Sequence, residues 1–422
     1  MCNGAGKWYW ASNVLYVYYT EDPDGAVSIE STIRFALRIE NKDYITIQDL
    51  ELKHGITNAG IGNGGSDYII LDSLTASYGY RYNVEVAGSE GQLTNITIKN
   101  SDLSYAGGSG ICVNGNVDLC LIQNNTIYYN CQMKDSEVGQ HIDSAGIAAS
   151  SNNCTNLIVE NNTIYNNGID SLGTLDQEGR GFWADENVDA PIIRYNNIYG
   201  NKKDGIFIEI SSNAQIYYNL VHSHSGANPG TGIFVHGRAT PASGNIIYNN
   251  VCYDNGYEGI AIWGDGINAD CCNNNLVKNN ICMNSGSNEL EAKGGGENDG
   301  TYGSGNVYSN NCFDAEASNF IVWGTGNNIS TYDDWETAYG GTTSSVESDP
   351  LMTDPGSDDF TLQFGSPCIN KGAHVGLFLD YTGTMPVPIG HQPDIGAYEH
   401  KNGGVIWESF IDWILEKDRS LK

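Results

Sequence analysis

Short runs of alternating hydrophobic and polar residues recur along most of this chain, and four of them share one pattern. They read Gly181-Phe-Trp-Ala-Asp185, Gly205-Ile-Phe-Ile-Glu209, Gly232-Ile-Phe-Val-His236 and Gly259-Ile-Ala-Ile-Trp263. In an extended strand successive side chains point to opposite faces. The second and fourth positions therefore enter a core, and the third and fifth are expected to face solvent. A second motif, Asn followed two residues later by an aliphatic residue or Cys, follows each run. It appears at Asn125, Asn162, Asn196, Asn219, Asn250 and Asn280, with spacings of 37, 34, 23, 31 and 30 residues. One turn of a solenoid carrying loops of variable length on one side produces such spacing. Stacked Asn side chains at a turn can hydrogen-bond one another and the backbone, so these residues are read as structural.

Earlier turns are visible at Tyr44-Ile-Thr-Ile47, Tyr68-Ile-Ile-Leu71 and Leu93-Thr-Asn-Ile-Thr-Ile98. The longest insertions, around Tyr129–Ser144, Gly168–Arg180 and Ser223–Thr231, are expected to emerge beside the patterned strands as walls of a cleft. After about Thr343 the chain changes to short strands separated by Pro and Gly turns, which suits a cap over the last turn. The expected organisation is all-β: a solenoid over 1–345, a cap region over 346–400 and a short amphipathic helix over 401–422. The abrupt start, Met1-Cys2-Asn3-Gly4 and then Trp8-Tyr-Trp10, suggests that an upstream segment, a signal peptide included, is missing.

Composition narrows the partners. The 422 residues carry a net charge of −31, 17% charged residues and 52 glycines. Such acidity excludes nucleic acid, whose binding needs Lys and Arg, and favours a neutral glycan over a polyanion unless calcium bridges the charge. No run approaches the roughly 18 apolar residues of a membrane span. The 11 cysteines are odd in number and lack metal spacing. Several replace Ile or Val in the repeat, and most are read as small core hydrophobes.

The fifth position collects the chemistry. In register, Asp185, Glu209, His236 and Trp263 form a column about 4.8 Å apart from strand to strand. Outward positions of a solenoid are usually just polar, as Asn114 and Ser150 are at the corresponding places. Acid, acid, imidazole and indole on consecutive repeats, beside Trp183 and Phe207, point instead to cleavage of a sugar. Asp185 and Glu209 are 209 − 185 = 24 residues apart, one short turn. That places their carboxyls roughly 5 Å apart, near the separation used by retaining glycosidases.

The span from Gly181 to Ser211, with Tyr195-Asn-Asn-Ile-Tyr-Gly-Asn201 inside it, resembles bacterial right-handed parallel β-helix proteins of the pectate-lyase-like superfamily. It is similar in particular to the β-helical glycoside hydrolases that include retaining β-xylosidases. The ending Asp394-Ile-Gly-Ala-Tyr-Glu399 also resembles the close of such solenoids. The resemblance implies an extracellular or cell-surface enzyme acting on a xylan-type glycan, with Asp185 as nucleophile and Glu209 as acid/base. His236 is then a support to Glu209, Trp183, Phe207 and Trp263 are surfaces for sugar rings, and Arg180 and Arg238 hold substrate groups. No cofactor is expected. A lyase acting on a uronate glycan, with calcium held by the carboxylates, and a non-catalytic glycan-binding adhesin remain alternatives.

Overall fold

The computed structural model describes residues 8–11, 14–17, 34–62, 65–133, 144–150, 153–169, 179–224, 230–264, 271–293, 303–324, 327–389 and 392–401. The chain divides into two compact units, residues 1–33 and 34–422. Within the first, strands Trp8–Ala11 and Val14–Val17 form an antiparallel hairpin.

The second unit is a solenoid of about nine turns. One face is a nine-stranded parallel sheet of three-residue strands, from Glu51–Lys53 through Thr126–Tyr128 and Leu220–His222 to Ile281–Met283. A second face carries the Gly-initiated strands, among them Arg180–Ala184, Ile206–Glu209, Ile233–Gly237 and Glu258–Gly264, followed by Asn288–Lys293, each parallel to the next. The third face runs through Ile192–Arg194, Gln215–Tyr217, Ile246–Tyr248 and Leu276–Lys278. Inward side chains such as Phe182, Ile208, Val235, Ile247 and Cys252 fill one continuous core.

The glycine that opens each run has a steric cause. A Cβ at Gly205 would lie 2.2 Å from Val221 Cγ1, and one at Gly181 would lie 2.4 Å from Ile198 Cγ2. The strand can approach the neighbouring face this closely only without a side chain.

The Asn motif forms the expected ladder and extends it. Asn125, Asn162, Asn196, Asn219, Asn250, Asn280 and Asn311 are all buried. Each of the first six donates its backbone N–H and its Nδ2 to the Oδ1 of the next. The residue before each ladder Asn takes a left-handed conformation, as at Asn161 (φ 55°), Tyr195 (φ 56°) and Asn249 (φ 54°). A second ladder, Asn58, Asn83, Asn130, Asn167 and Asn201, supports another bend. The ten described cysteines are buried free thiols, in keeping with their reading as core residues.

A short helix packs against the core at the last turn. Helix Tyr332–Tyr339 begins at Thr331, whose side chain accepts the Asp334 N–H, and ends at the left-handed Gly340. Its Tyr332 and Trp335 are fully buried against Phe313, Phe320 and Trp323 at the last turn. Met352, Phe360, Leu362, Cys368, Ile395 and Ala397 pack along the flank, against Tyr217, Tyr218, Tyr248 and Ile281. The stacked tyrosines there leave an apolar strip that polar loops would not cover. The amphipathic tail expected over 401–422 lies, from 402 on, outside the described residues.

Replacing Asn219 by Ala tests the ladder. It removes the acceptor for Asn196 and the donor to Ile193 O and Tyr217 O, leaving buried groups unpaired. The loss should be about 2 kcal/mol or more, read as a lower urea midpoint. Thr75→Ala, at an exposed strand position, should change that midpoint far less.

Candidate active site

The fifth-position column forms, in register. Glu209 pairs with His236, and His236 with Trp263. Asp185 lies one residue beyond its strand, yet the offset of 24 holds on both sides of it. Ala184 pairs with Ile208, and the Asn187 N–H donates to Ile210 O. Asp185 is therefore opposite Glu209. Its own N–H bonds Ala149 O, and its Oδ1 accepts the Glu186 N–H at 2.7 Å.

Exposure departs from the expectation. Glu209 is only 5% exposed, and Phe207 and Phe234 are buried as well. The third-position aromatics are large enough to cover one another. Phe207 and Phe234 stack at 4.8 Å between centroids, flanked by Trp183 at 6.0 Å and by Trp263 edge-on at 4.8 Å. They form a small second core on the outer face, with Ala261. Phe207 is thus withdrawn from any sugar, while Trp183 and Trp263 remain half-exposed at the ends of the row.

Both oxygens of Glu209 are engaged. Arg238 Nη2 contacts Oε1 at 2.6 Å, and Trp183 Nε1 donates to Oε2 at 3.2 Å. His236 Nδ1 is 3.9 Å from Oε1, too long for a hydrogen bond but close enough for a charge contact when the imidazole is protonated. The His236 ring stacks on Phe234. Arg238 is half-exposed and stands at the rim. Arg180, expected to hold substrate, is instead buried. Its guanidinium lies 4.5 Å from the centroids of both Trp183 and Phe207, and its Nε bonds Asp204 Oδ2 at 3.0 Å. It braces the aromatic row from behind.

Asp204 starts a polar line that the repeat pattern did not reveal. Its Oδ1 accepts the Thr231 N–H, and Thr231 Oγ1 donates to Glu258 Oε2 at 2.5 Å. Glu258 also meets the Glu291 carboxyl, and Glu291 is ion-paired to Lys293. Lys293 extends the column by one turn, opposite Trp263, with its ammonium 4.4 Å over that ring. Arg180, Asp204, Thr231 and Glu258 all sit one residue before the repeat's glycine, so aligning one place further upstream would have shown them. Lys293 lies in Asn288-Glu-Leu-Glu-Ala-Lys293, which lacks the glycine. The insertions expected to wall the cleft fall largely outside the described residues, over 134–143, 170–178 and 225–229.

Among the described residues no cluster of three or more His, Cys, Asp or Glu side chains is placed to hold a metal ion. Asp185 and Glu209 are a poor fit to calcium, because Arg238 and Trp183 already occupy the Glu209 oxygens. No described helix is long and apolar enough to cross a membrane.

The family model of the right-handed β-helix region matches residues 59–241. The chain folds as a right-handed parallel β-helix. A second model, periplasmic copper-binding protein NosD, matches residues 171–312 of the β-helix. Copper belongs to that description. Over the matched span Cys252 and Cys282 lie inside the coil, and no metal-ligating cluster forms among the described residues.

No curated protein matches the chain in sequence. Similar solved structures include the Dettilon tailspike protein gp208 (14% identity, TM-score 0.42, covering 74% of this chain and 50% of that one). XylC in complex with xylose (14%, 0.43, 59% and 44%) and pectate lyase Pel9A (15%, 0.42, 82% and 73%) are others. The β-helix therefore spans half the tailspike's length and under half of XylC's. Proteins with this coil include enzymes that act on carbohydrates, but at such identities the likeness is one of fold.

Glu258 supplies a pH test. Burial, and then the contact with Glu291, push its carboxyl up to about 9 from an ordinary 4.5. The folded state thus keeps a proton that the unfolded chain loses above pH 4.5. The resulting stability is complete below that pH and is lost as pH rises towards 9. Glu258→Gln keeps an acceptor for Thr231 and gives Glu291 a permanent donor. Its melting temperature, relative to the parent's, should climb steadily from pH 5 to pH 9. A constant difference would contradict a shared proton.

Proposed function

We propose that the β-helix hydrolyses a glycosidic bond in a neutral, xylan-type glycan, with retention of configuration and with Asp185 and Glu209 as its two carboxyl groups. One observation supports the reading: by backbone register Asp185 and Glu209 stand at corresponding positions on adjacent turns, where strand spacing is about 4.8 Å. Inverting enzymes need roughly 6.5–9.5 Å to admit a water between the groups. Trp183 and Trp263, half-exposed on either side, supply flat surfaces for sugar rings.

The contacts around Glu209 favour the reverse of the roles that the resemblance implies. A guanidinium at 2.6 Å and an indole N–H hold Glu209 as a fixed carboxylate, which is what a nucleophile requires. Asp185 is less buried and has one oxygen on a backbone N–H. On this assignment the Asp185 carboxylic acid gives its proton to the leaving oxygen while Glu209 attacks the anomeric carbon. The resulting glycosyl ester is then cleaved by a water that returns a proton to Asp185. His236 and Arg238 orient Glu209.

The described cations beside the column also favour a neutral substrate. Arg180, Arg238 and Lys293 each sit against a carboxylate, Asp204, Glu209 and Glu291 respectively. None is left over to neutralise a uronate, as a lyase would need. An extracellular or cell-surface setting accompanies a glycan substrate.

The test is a panel of aryl glycosides and neutral and acidic polysaccharides, with and without chelator. Glu209→Gln should lower turnover of every cleaved glycoside at least about 10³-fold. Asp185→Asn should spare glycosides with highly acidic leaving groups, such as dinitrophenol, and added azide should raise their rate. Calcium-dependent cleavage with rising ultraviolet absorbance would instead indicate a lyase. Binding of a glycan without turnover would indicate an adhesin.

A further inference from the structure

We propose that Cys312 and Cys368 are a disulfide site, which under oxidising conditions staples the C-terminal flank segment to the last turn of the coil. The two residues are 368 − 312 = 56 positions apart, and both are fully buried. Cys312 bridges Val346 and lies on the last turn, where its N–H donates to Asn280 O. Cys368 belongs to the flank segment, where its N–H is held by Ser366 Oγ and its carbonyl accepts the Ile395 N–H.

Their side chains meet. The Cys312 Sγ donates to Ser348 O at 3.3 Å and has the Cys368 thiol beside it in the same buried cluster; that neighbour together with burial raises it well above the ordinary thiol range. Strand direction explains why Cys312 faces the flank. The Cys282 N–H bonds Cys312 O, which places Cys282 opposite Phe313 and turns Cys312 to the other side. Cys282 and Phe313 belong to the interior core, whereas Cys312 and Cys368 belong to the flank cluster with Met352, Phe360 and Ile395. Cys252 and Cys282 form a second thiol pair in register on neighbouring strands. That pair lies inside the coil, and reaching it means opening the turns themselves. The Cys312–Cys368 pair needs only the flank segment to lift.

The step is thiol–disulfide exchange with a low-molecular-weight disulfide such as oxidised glutathione. One protein thiolate displaces one glutathione thiol to give a mixed disulfide. The second protein thiolate then displaces the other. Two protein thiols lose two protons and two electrons, and one glutathione disulfide becomes two glutathione thiols. The bond closes a long loop, so it restrains the unfolded chain strongly.

The test uses the whole protein, incubated with oxidised glutathione a few degrees below its melting temperature, then denatured and alkylated. No Lys or Arg lies between residues 294 and 370, so trypsin leaves both cysteines in one peptide. A glutamyl endopeptidase separates them, after Glu316, Glu336 and Glu347. The expected product is a cross-linked pair of peptides carrying Cys312 and Cys368, two hydrogens lighter than their sum. The oxidised protein should melt about 5 °C or more above the reduced one, and Cys368→Ser should abolish that difference. Recovery of both cysteines fully alkylated, or Cys312 linked to Cys282, overturns the proposal. The peptide map is read on the unaltered chain, so the outcome does not depend on a variant's folding.

Discussion

Register between successive turns is the constraint on which everything else here depends. Each ladder Asn offers one Oδ1 to both the backbone and the side-chain amide of the Asn one turn before. A shift by one residue would strand these buried groups, at a cost comparable to several hydrogen bonds. The left-handed residue before each Asn and the side-chain-free glycine at the start of each patterned strand tighten the same fit. Loop length varies from turn to turn, but the paired strands do not slip.

Register then determines what the outer face can be. A side chain at a given place in one repeat must stand beside its counterpart in the next, so chemistry is arranged in columns. The fifth position becomes Asp185, Glu209, His236, Trp263 and Lys293. The third becomes a packed row of aromatics. The place before the glycine becomes a line of Arg180, Asp204, Thr231 and Glu258. The aromatic row and the guanidinium of Arg180 together fix Trp183, and Trp183 in turn holds Glu209. The Glu209 carboxylate is thus braced by packing as much as by charge.

Much of this was legible in the sequence. Gly181, Gly205, Gly232 and Gly259 mark the strands, the alternation after them separates inward from outward residues, and the Asn spacing marks the turns. Depth was not legible. Alternation shows that Phe207 and Phe234 point out of the coil but not that neighbouring rings bury them, because that depends on the size of residues 24 to 27 positions away. Arg180 shows the same limit: its distance from Asp185 in sequence suggested a substrate contact, while Asp204 draws it under the row. Helix Tyr332–Tyr339 is only two turns long, with too few apolar positions for its period to stand out. Lys293 was hidden because its strand has Glu289 where the others have glycine. The roles of the two carboxyls depend on Arg238, whose reach across to Glu209 no spacing rule predicts.

The assignment of Glu209 as the group that bonds to sugar is the centre of this account. The most direct measurement is covalent trapping with a 2-deoxy-2-fluoroglycoside of the sugar that the panel identifies, followed by peptide mass spectrometry. The account predicts a single adduct of one fluorosugar mass on the peptide carrying Glu209, lost in Glu209→Gln and retained in Asp185→Asn. A label on Asp185, or full inactivation without any carboxyl adduct, would contradict it.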